Sequence, residues 1–175
     1  MLIGVICTLV LIILVVGIVI LVRARQDEKE NYYTAAHNIL KEEQLDLLLK
    51  NPYKKGLENG RNSIKPMLFL KFLDKSKQKY VFCLEKEVCI GRDKDKNQVC
   101  VNEPIVSHCH CKISSNGSNV YLQDLYSSNG IEVKRGISRY AFGNGDIMEI
   151  FTKDVIKIGT TRIKVIVFYF DTTMM

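Results

Sequence analysis

The N-terminal stretch of this chain lacks charge, since residues 2–22 contain no charged side chain and consist almost wholly of Leu, Ile and Val. At a helical rise of about 1.5 Å per residue, this stretch is roughly 30 Å long, which matches the hydrocarbon core of a bilayer. It also lacks the basic start and the small-x-small cleavage site of a signal peptide. We therefore predict an uncleaved transmembrane anchor over residues 1–22.

Basic residues are absent before this span and present directly after it, at Arg23, Arg25 and Lys29. Because positive charge next to a span marks its cytoplasmic end, this predicts a single-pass protein of the cell membrane with a cytoplasmic soluble part. The six cysteines lack the spacing of a disulfide framework. This pattern favours free thiols in a reducing compartment.

Helix breakers are absent from residues 27–50, which hold no Gly or Pro and end at Asn51-Pro52. Apolar residues recur there at helical spacing, but Glu43 interrupts the stripe. This predicts a juxtamembrane helix, and a dimerising coiled coil is the alternative, for which the stripe covers few heptads. Residues 53–65 are polar with two glycines, which indicates a flexible linker. Residues 23–65 are thus assigned to a helix and a linker.

A helical period is absent after Pro66, where short runs rich in Val, Ile, Phe and Tyr alternate with turn residues. Eleven such runs indicate an all-β, antiparallel β-sandwich or barrel. The last run is apolar at nearly every position, which predicts a central strand. The runs are residues 67–73, 79–84, 87–90, 98–101, 109–114, 119–123, 131–133, 136–140, 146–151, 155–158 and 161–169.

Three polar motifs lie at the ends of these runs. They are Ile90-Gly91-Arg92, then the segment 106–113 with sequence VSHCHCKI, then the segment 124–130 with sequence DLYSSNG. Together they supply a guanidinium, two hydroxyls, an amide and an imidazole, with almost no acceptor charge. Such a set of donors suits an anion with several oxygens.

In this order and spacing the motifs resemble the forkhead-associated (FHA) domain, here of a membrane-anchored bacterial type, over residues 65–170. The family pattern is Gly-Arg, then Ser-x-x-His, then an acidic residue followed by Ser/Thr-Asn-Gly. The resemblance implies a β-sandwich of about eleven strands at residues 66–171, which would bind phosphothreonine-containing peptides. Its preference for phosphothreonine over phosphoserine would come from one methyl group in a small apolar notch.

The resemblance also implies a role for each motif residue. Arg92 would hold the phosphate, Ser107 and Ser128 would donate hydroxyl hydrogen bonds to it, and Asn129 would bond the peptide main chain. Where the family has Arg, Lys or Asn, this chain has His108, which would donate more strongly when protonated. The residues implied to support the site are Gly91, His110 and Gly130. The chain departs from the family behind the phosphate loops, at Ile131 and Lys134-Arg135-Gly136.

Other functions find less support in the sequence. Strand alternation would put His108 and His110 on one face and Cys109 and Cys111 on the other, which argues against zinc or another metal. Ser107, His110 and Asp124 lack the nucleophile elbow of a hydrolase, so we predict no enzyme and no cofactor. The net charge is +6, but aromatic residues do not interleave with the basic ones, which disfavours nucleic acid.

The sequence therefore predicts a membrane-tethered adaptor that binds phosphothreonine-containing proteins or peptides and recruits them to the cytoplasmic membrane face. The alternative is a structural subunit that docks, independently of phosphorylation, in an envelope, division or secretion complex.

Overall fold

The computed structural model describes residues 2–50, 64–74 and 76–172 of the chain. One helix, α1 (Leu2–Lys50), precedes eleven strands. The strands are β1 (Ile64–Phe72), β2 (Lys79–Cys83), β3 (Val88–Gly91), β4 (Val99–Cys100), β5 (Cys111–Ser115), β6 (Val120–Asp124), β7 (Ile131–Arg135), β8 (Ser138–Phe142), β9 (Ile147–Ile150), β10 (Val155–Ile158) and β11 (Thr161–Asp171).

The sequence predicts an anchor followed by a separate juxtamembrane helix, but the structure has one continuous helix over both segments. The separate juxtamembrane helix is therefore not confirmed. No Gly or Pro lies between Val22 and Lys50, so nothing in the chain interrupts the helical hydrogen bonds. Among the described residues, this helix is long and apolar enough to cross a membrane, a test that a signal sequence would also pass. The predicted linker lies mostly outside the described residues, and Ile64 and Lys65 already belong to β1.

The chain divides into two compact units after Ala35. Within the second unit, Ala36 and Leu40 are buried. The ring of His37 meets the ring of Phe170 edge-on, with centroids 6.5 Å apart. This part of α1 therefore packs beside β11.

The strands form two sheets, as expected for an FHA-like sandwich. The six-stranded sheet has the order β2-β1-β11-β10-β7-β8, and the five-stranded sheet has the order β4-β3-β5-β6-β9. β11 lies between β1 and β10, which confirms its predicted central position. The pairs with a given register are antiparallel, except that β3 and β4 run parallel.

Alternating residues of the strands fill the space between the two sheets. In β1, Leu68, Leu70 and Phe72 enter the core, and in β11 Ile163 and Val165 do so. Each buried aliphatic side chain stabilises the fold by about 1.5–3 kcal/mol relative to an exposed one. The core is therefore sufficient to hold the sheets while their loops carry polar residues.

The register of the five-stranded sheet gathers three loops at one end. Cys111, the first residue of β5, pairs with Ile90 near the end of β3 and with Asp124 at the end of β6. The segments that follow β3, precede β5 and follow β6 therefore leave the sheet together. These are the segments that carry the three polar motifs.

An ion pair with a buried carboxylate links the other end of β7 to Asp154, which directly precedes β10. The Nε of Arg135 donates to Asp154 Oδ1 at 3.0 Å, and a terminal nitrogen donates to Oδ2 at 2.8 Å. The amide of Phe151 donates to the same carboxylate at 2.9 Å, and the guanidinium lies 4.3 Å from the centroid of the Phe151 ring. Asp154 is 2% exposed, so its charge depends on these partners.

We expect Asp154→Ala to lower the free energy of unfolding by about 3–5 kcal/mol, because the change leaves a partly buried guanidinium without its anion. Chemical denaturation measures the effect. Asp95→Ala removes an exposed carboxylate and should change stability by less than about 0.5 kcal/mol. Equal stability of the two variants would show that the Arg135–Asp154 pair contributes nothing.

Candidate functional site

Backbone hydrogen bonds hold the first and second motifs side by side. The amide of Arg92 donates to the carbonyl of Ser107 at 2.9 Å, and the amide of Asp93 donates to the carbonyl of His108 at 3.2 Å. Gly91 makes this approach possible, because a Cβ there would lie 2.3 Å from the carbonyl oxygen of His108. A glycine is therefore required at position 91, because any side chain there would prevent the two backbone segments from approaching each other.

The guanidinium of Arg92 lies next to the second motif. Its Nε donates to the carbonyl of Val106 at 3.2 Å, and a terminal nitrogen lies 3.3 Å from His108 Nε2. These contacts use two of its five N–H groups. The charge is thus held in place by the second segment while further donors remain for a ligand.

The second and third motifs meet through two serines. The amide of Ser128 donates to the hydroxyl oxygen of Ser107 at 3.1 Å, and the two hydroxyl oxygens lie 3.5 Å apart. Next to them, the side-chain amide of Asn129 donates to the carbonyl of Ile105 at 2.7 Å. The structure therefore brings Arg92, His108, Ser107, Ser128 and Asn129 onto one set of adjoining loops.

His110 is fully buried and bonds to both neighbouring segments. Its Nδ1 accepts from the amide of Ser107 at 3.2 Å, and its Nε2 lies 3.0 Å from the carbonyl oxygen of Gly130. Because a carbonyl only accepts, the hydrogen must be on Nε2. Gly130 has φ +65, and a Cβ there would lie 2.8 Å from the carbonyl oxygen of Phe142. The imidazole therefore fixes the distance between the second and third motifs.

Two further side chains brace the loops from inside. Asp124 is buried, and its Oδ2 accepts from the amides of Ser127 at 3.1 Å and Gly145 at 3.2 Å. Asn97 donates through Nδ2 to the carbonyls of Asp93 and His108, both at 2.6 Å. Sequence reasoning missed Asn97, because its partners are backbone carbonyls brought near by the fold and no motif marks it.

Glu103 lies in the loop between β4 and β5, contacts the turn between β10 and β11 of the other sheet, and was also missed. Its carboxylate accepts from the amide of Thr160 at 2.8 Å and from the hydroxyl of Thr161. Burial alone would raise the pKa of Glu103, but hydrogen bonds from Thr161 and Thr160 outweigh burial and lower the pKa below its usual value. The ionised form is therefore the one that the fold stabilises.

The sequence prediction that His108, Cys109, His110 and Cys111 alternate along a strand is wrong. β5 begins only at Cys111, so the residues before it follow the loop. His110 and Cys111 are both buried, and burial raises the pKa of the Cys111 thiol. Over the residues that the structure describes, no group of three or more His, Cys, Asp or Glu side chains could hold a metal ion.

The carboxylate of Asp93 lies close to the guanidinium of Arg92 and is approached by Lys96, whose Nζ is 3.8 Å from Asp93 Oδ2. Asp93 Oδ2 lies 3.9 Å from His108 Nδ1, on the side of the imidazole away from Arg92. The hydroxyls of Ser107 and Ser128 and the amide of Asn129 complete the cluster. Such a cluster offers several neutral donors beside the guanidinium, which matches the oxygens and charge of a phosphate group.

The fold and this loop cluster define a two-sheet β-sandwich that presents polar donors from one end. The sequence model of the FHA domain matches residues 88–159, from the start of β3 to just after β10, and this range includes all eight residues assigned to the site. Residues 88–159 of this chain therefore belong to an FHA domain, and for these residues the resemblance of the motifs to that family is confirmed.

Solved structures similar to this chain include the FHA domain of a hypothetical protein from Arabidopsis thaliana, at 27% identity and TM-score 0.51, covering 58% of this chain and 85% of that one. The FHA domain of FhaA, solved with the intracellular domain of another protein, has 26% identity and TM-score 0.47, covering 56% and 98%. EmbR from Mycobacterium tuberculosis, solved with a low-affinity phosphopeptide, has 24% identity and TM-score 0.48, covering 57% and 24%. No curated protein sequence matches the chain.

We expect Glu103→Gln to lower the free energy of unfolding at neutral pH, because an amide replaces a carboxylate that the fold hydrogen-bonds. Since the folded-state pKa is lowered, the stability that ionised Glu103 provides is present above about pH 4.5 and is lost as the pH falls through the lowered pKa. Urea denaturation at a series of pH values measures the difference between variant and wild type.

Glu87→Gln is the matched control, since Glu87 forms an exposed ion pair with Lys112 and such pairs contribute about 0–1 kcal/mol. A difference between Glu103→Gln and wild type that stays constant down to pH 3 would contradict the assigned role of the carboxylate.

Proposed function

We propose that this protein is a membrane-tethered adaptor that binds phosphothreonine-containing peptides through its FHA domain. FHA domains are phosphopeptide-binding modules rather than enzymes, and this supports the proposal. The observation that carries it is the direct bonding of the three motifs, in which Ser107 receives the amide of Ser128 through its hydroxyl and the amide of Arg92 through its carbonyl. The donors are therefore preorganised before a ligand arrives.

The phosphate would lie between the guanidinium of Arg92 and the two serine hydroxyls. Because the hydroxyl oxygen of Ser107 already accepts a hydrogen bond from Ser128, its own hydrogen is available to donate to a phosphate oxygen. Arg92 has terminal N–H groups beyond those used by Val106 and His108. Charge-assisted hydrogen bonds of this kind contribute about 1.5–3 kcal/mol each.

Asn129 would set the register of the peptide. One of its amide hydrogens is used by the carbonyl of Ile105, and this orients the side chain. Its Oδ1 can then accept from a peptide N–H and its second hydrogen can donate to a peptide carbonyl. These neutral bonds contribute about 1 kcal/mol each, so they add register more than affinity.

Membrane tethering is proposed from α1, whose first part is apolar and is followed by Arg23 and Arg25. The basic flank favours a cytoplasmic location for the FHA domain. Tethering would concentrate phosphorylated partners at the cytoplasmic membrane face. The adaptor would thereby convert phosphorylation of a partner into its recruitment to the membrane.

We expect wild type to bind phosphothreonine peptides with micromolar affinity, about −8 kcal/mol, and Arg92→Ala to weaken that binding at least about 100-fold, since two charge-assisted bonds are lost. Calorimetry with a phosphothreonine peptide library and the unphosphorylated peptides measures this. Arg162→Ala removes an exposed arginine of β11 and should leave the affinity unchanged.

If wild type and Arg92→Ala bind a phosphopeptide alike, phosphate recognition is rejected. A partner that stays bound to Arg92→Ala and after phosphatase treatment would favour the phosphorylation-independent docking subunit instead.

We expect His108→Ala to weaken binding of the phosphothreonine peptide about fivefold, because the imidazole lies 3.3 Å from the guanidinium of Arg92 and helps to orient it. Calorimetry of the two proteins with the same peptide, at one pH, measures the difference. Equal affinities would exclude a role for His108 in binding.

A further inference from the structure

One exposed aromatic residue in the recognition loops has a strained backbone. Tyr126, two residues before Ser128, has φ +55 and is 81% exposed. A positive φ is uncommon for residues other than Gly, and for a bulky side chain it costs stability. The fold therefore loses stability at this position and regains little of it by burying the ring.

The ring of Tyr126 nevertheless has a defined position. It lies against Gly145 in the loop between β8 and β9, since a Cβ on Gly145 would be 2.8 Å from Cζ and 3.0 Å from Oη of the tyrosine. The amide of Gly145 donates to Asp124 Oδ2 at 3.2 Å, and the amide of Ser127 donates to the same oxygen at 3.1 Å. One buried carboxylate therefore holds both the loop that carries the ring and the glycine that the ring contacts.

An exposed carboxylate lies beside the same loop. Asp146 follows Gly145, and its backbone carbonyl accepts from the amide of Asp124 at 3.0 Å. Its side chain is exposed and has no hydrogen-bond or ion-pair partner among the residues that the structure describes. The segments 124–130 and 143–147 contain no Lys or Arg. This part of the loop cluster is therefore negatively charged.

Arg92 and Asp146 lie at opposite sides of the loop cluster. Arg92 follows β3 and Asp146 precedes β9, and in the five-stranded sheet β5 and β6 separate these two strands. Three strand spacings amount to about 14 Å. An extended peptide covers this distance in about four residues, at about 3.3–3.6 Å per residue. A single short peptide can therefore contact both groups.

The chemistry of Tyr126 and Asp146 selects a cation. A guanidinium or ammonium group is attracted both by the face of a tyrosine ring and by a carboxylate. An aliphatic side chain would contact the ring but gain nothing from the carboxylate, and an acidic side chain would be repelled by it. The pair therefore favours Arg or Lys over other side chains.

We propose that Tyr126 and Asp146 bind an Arg or Lys side chain of the peptide, within about four residues of the phosphothreonine. This inference rests on the proposed function and names the class of its ligands, which are phosphopeptides with a basic residue near the phosphate. A phosphate at Arg92 and a cation at Asp146 match the two charges of the site. The strain at Tyr126 is then explained, because a ring that contributes little to the fold contacts a ligand.

The test uses the full chain in detergent micelles and a series of phosphothreonine peptides. In each peptide one of the four positions on either side of the phosphothreonine carries Arg, citrulline or Leu, and the others carry Ala. Citrulline has the shape of Arg without its charge. By calorimetry we expect one position at which Arg gives about tenfold tighter binding than citrulline or Leu.

Two variants separate the ring and the carboxylate from the phosphate site. In Tyr126→Gly and in Asp146→Asn the preference for Arg should fall to about twofold or less, while the citrulline peptide binds as it does to wild type. The melting temperature of Tyr126→Gly should not fall below that of wild type, because glycine adopts a positive φ without strain. A lower melting temperature would show that the ring supports the fold, and would contradict the proposal.

Each variant has a matched control outside the loop cluster. Lys153→Gly relieves a φ of +82 at an exposed position between β9 and β10. Glu87→Gln removes an exposed carboxylate directly before β3. Both controls should keep the full preference for Arg.

If the Arg, citrulline and Leu peptides bind alike at every position, this inference is rejected and the proposed function stands, since the phosphate is still bound. A preference for Leu over Arg rejects it in favour of an apolar contact. A preference for Arg that survives in both variants places the cation elsewhere and also rejects it. If wild type binds these peptides no better than their unphosphorylated forms, the proposed function fails, and this inference fails with it.

Discussion

The arrangement of the recognition loops depends on one buried imidazole. His110 accepts from the amide of Ser107 and donates to the carbonyl of Gly130, so a single rigid ring sets the gap between two loops that are separated in sequence. Its own backbone also bonds to Ile90 and Leu125, at the ends of β3 and β6. A side chain with one donor and one acceptor, both satisfied inside protein, holds this geometry without adding charge beneath the surface.

The acceptors of the loop cluster are mostly used internally, and this leaves donors at its surface. Asp124 is occupied by the amides of Ser127 and Gly145, and Glu103 by the amide of Thr160 and the hydroxyl of Thr161. Each carboxylate accepts hydrogen bonds from backbone amides in loops and turns, and so stabilises those segments. Because these carboxylate oxygens already accept hydrogen bonds from the fold, an approaching anion meets Arg92 and hydroxyl groups.

The sequence predicted the parts of this structure that follow from local patterns. Short runs rich in Val, Ile, Phe and Tyr, separated by turn residues, predicted eleven strands, and the nearly continuous apolar run after Thr161 predicted the central one. The loop residues were predicted from three motifs at family spacing. Contacts between distant segments were not predictable, such as Asn97 bonding two backbone carbonyls or Glu103 reaching the β10–β11 turn. Strand alternation failed at Cys109 and His110 because β5 starts later, and the register determines that start.

β7 connects the recognition loops to the ion pair of Arg135. Gly130 ends the loop that His110 holds, Ile131 and Val133 pack in the core, and Arg135 at the other end of the strand bonds to Asp154. At about 3.3 Å per residue, Gly130 and Arg135 are roughly 16 Å apart along one strand. β7 is paired on both sides and does not bend easily, so its core residues and the contacts at its two ends hold the loop that carries Ser128 and Asn129 in one orientation relative to the sheet.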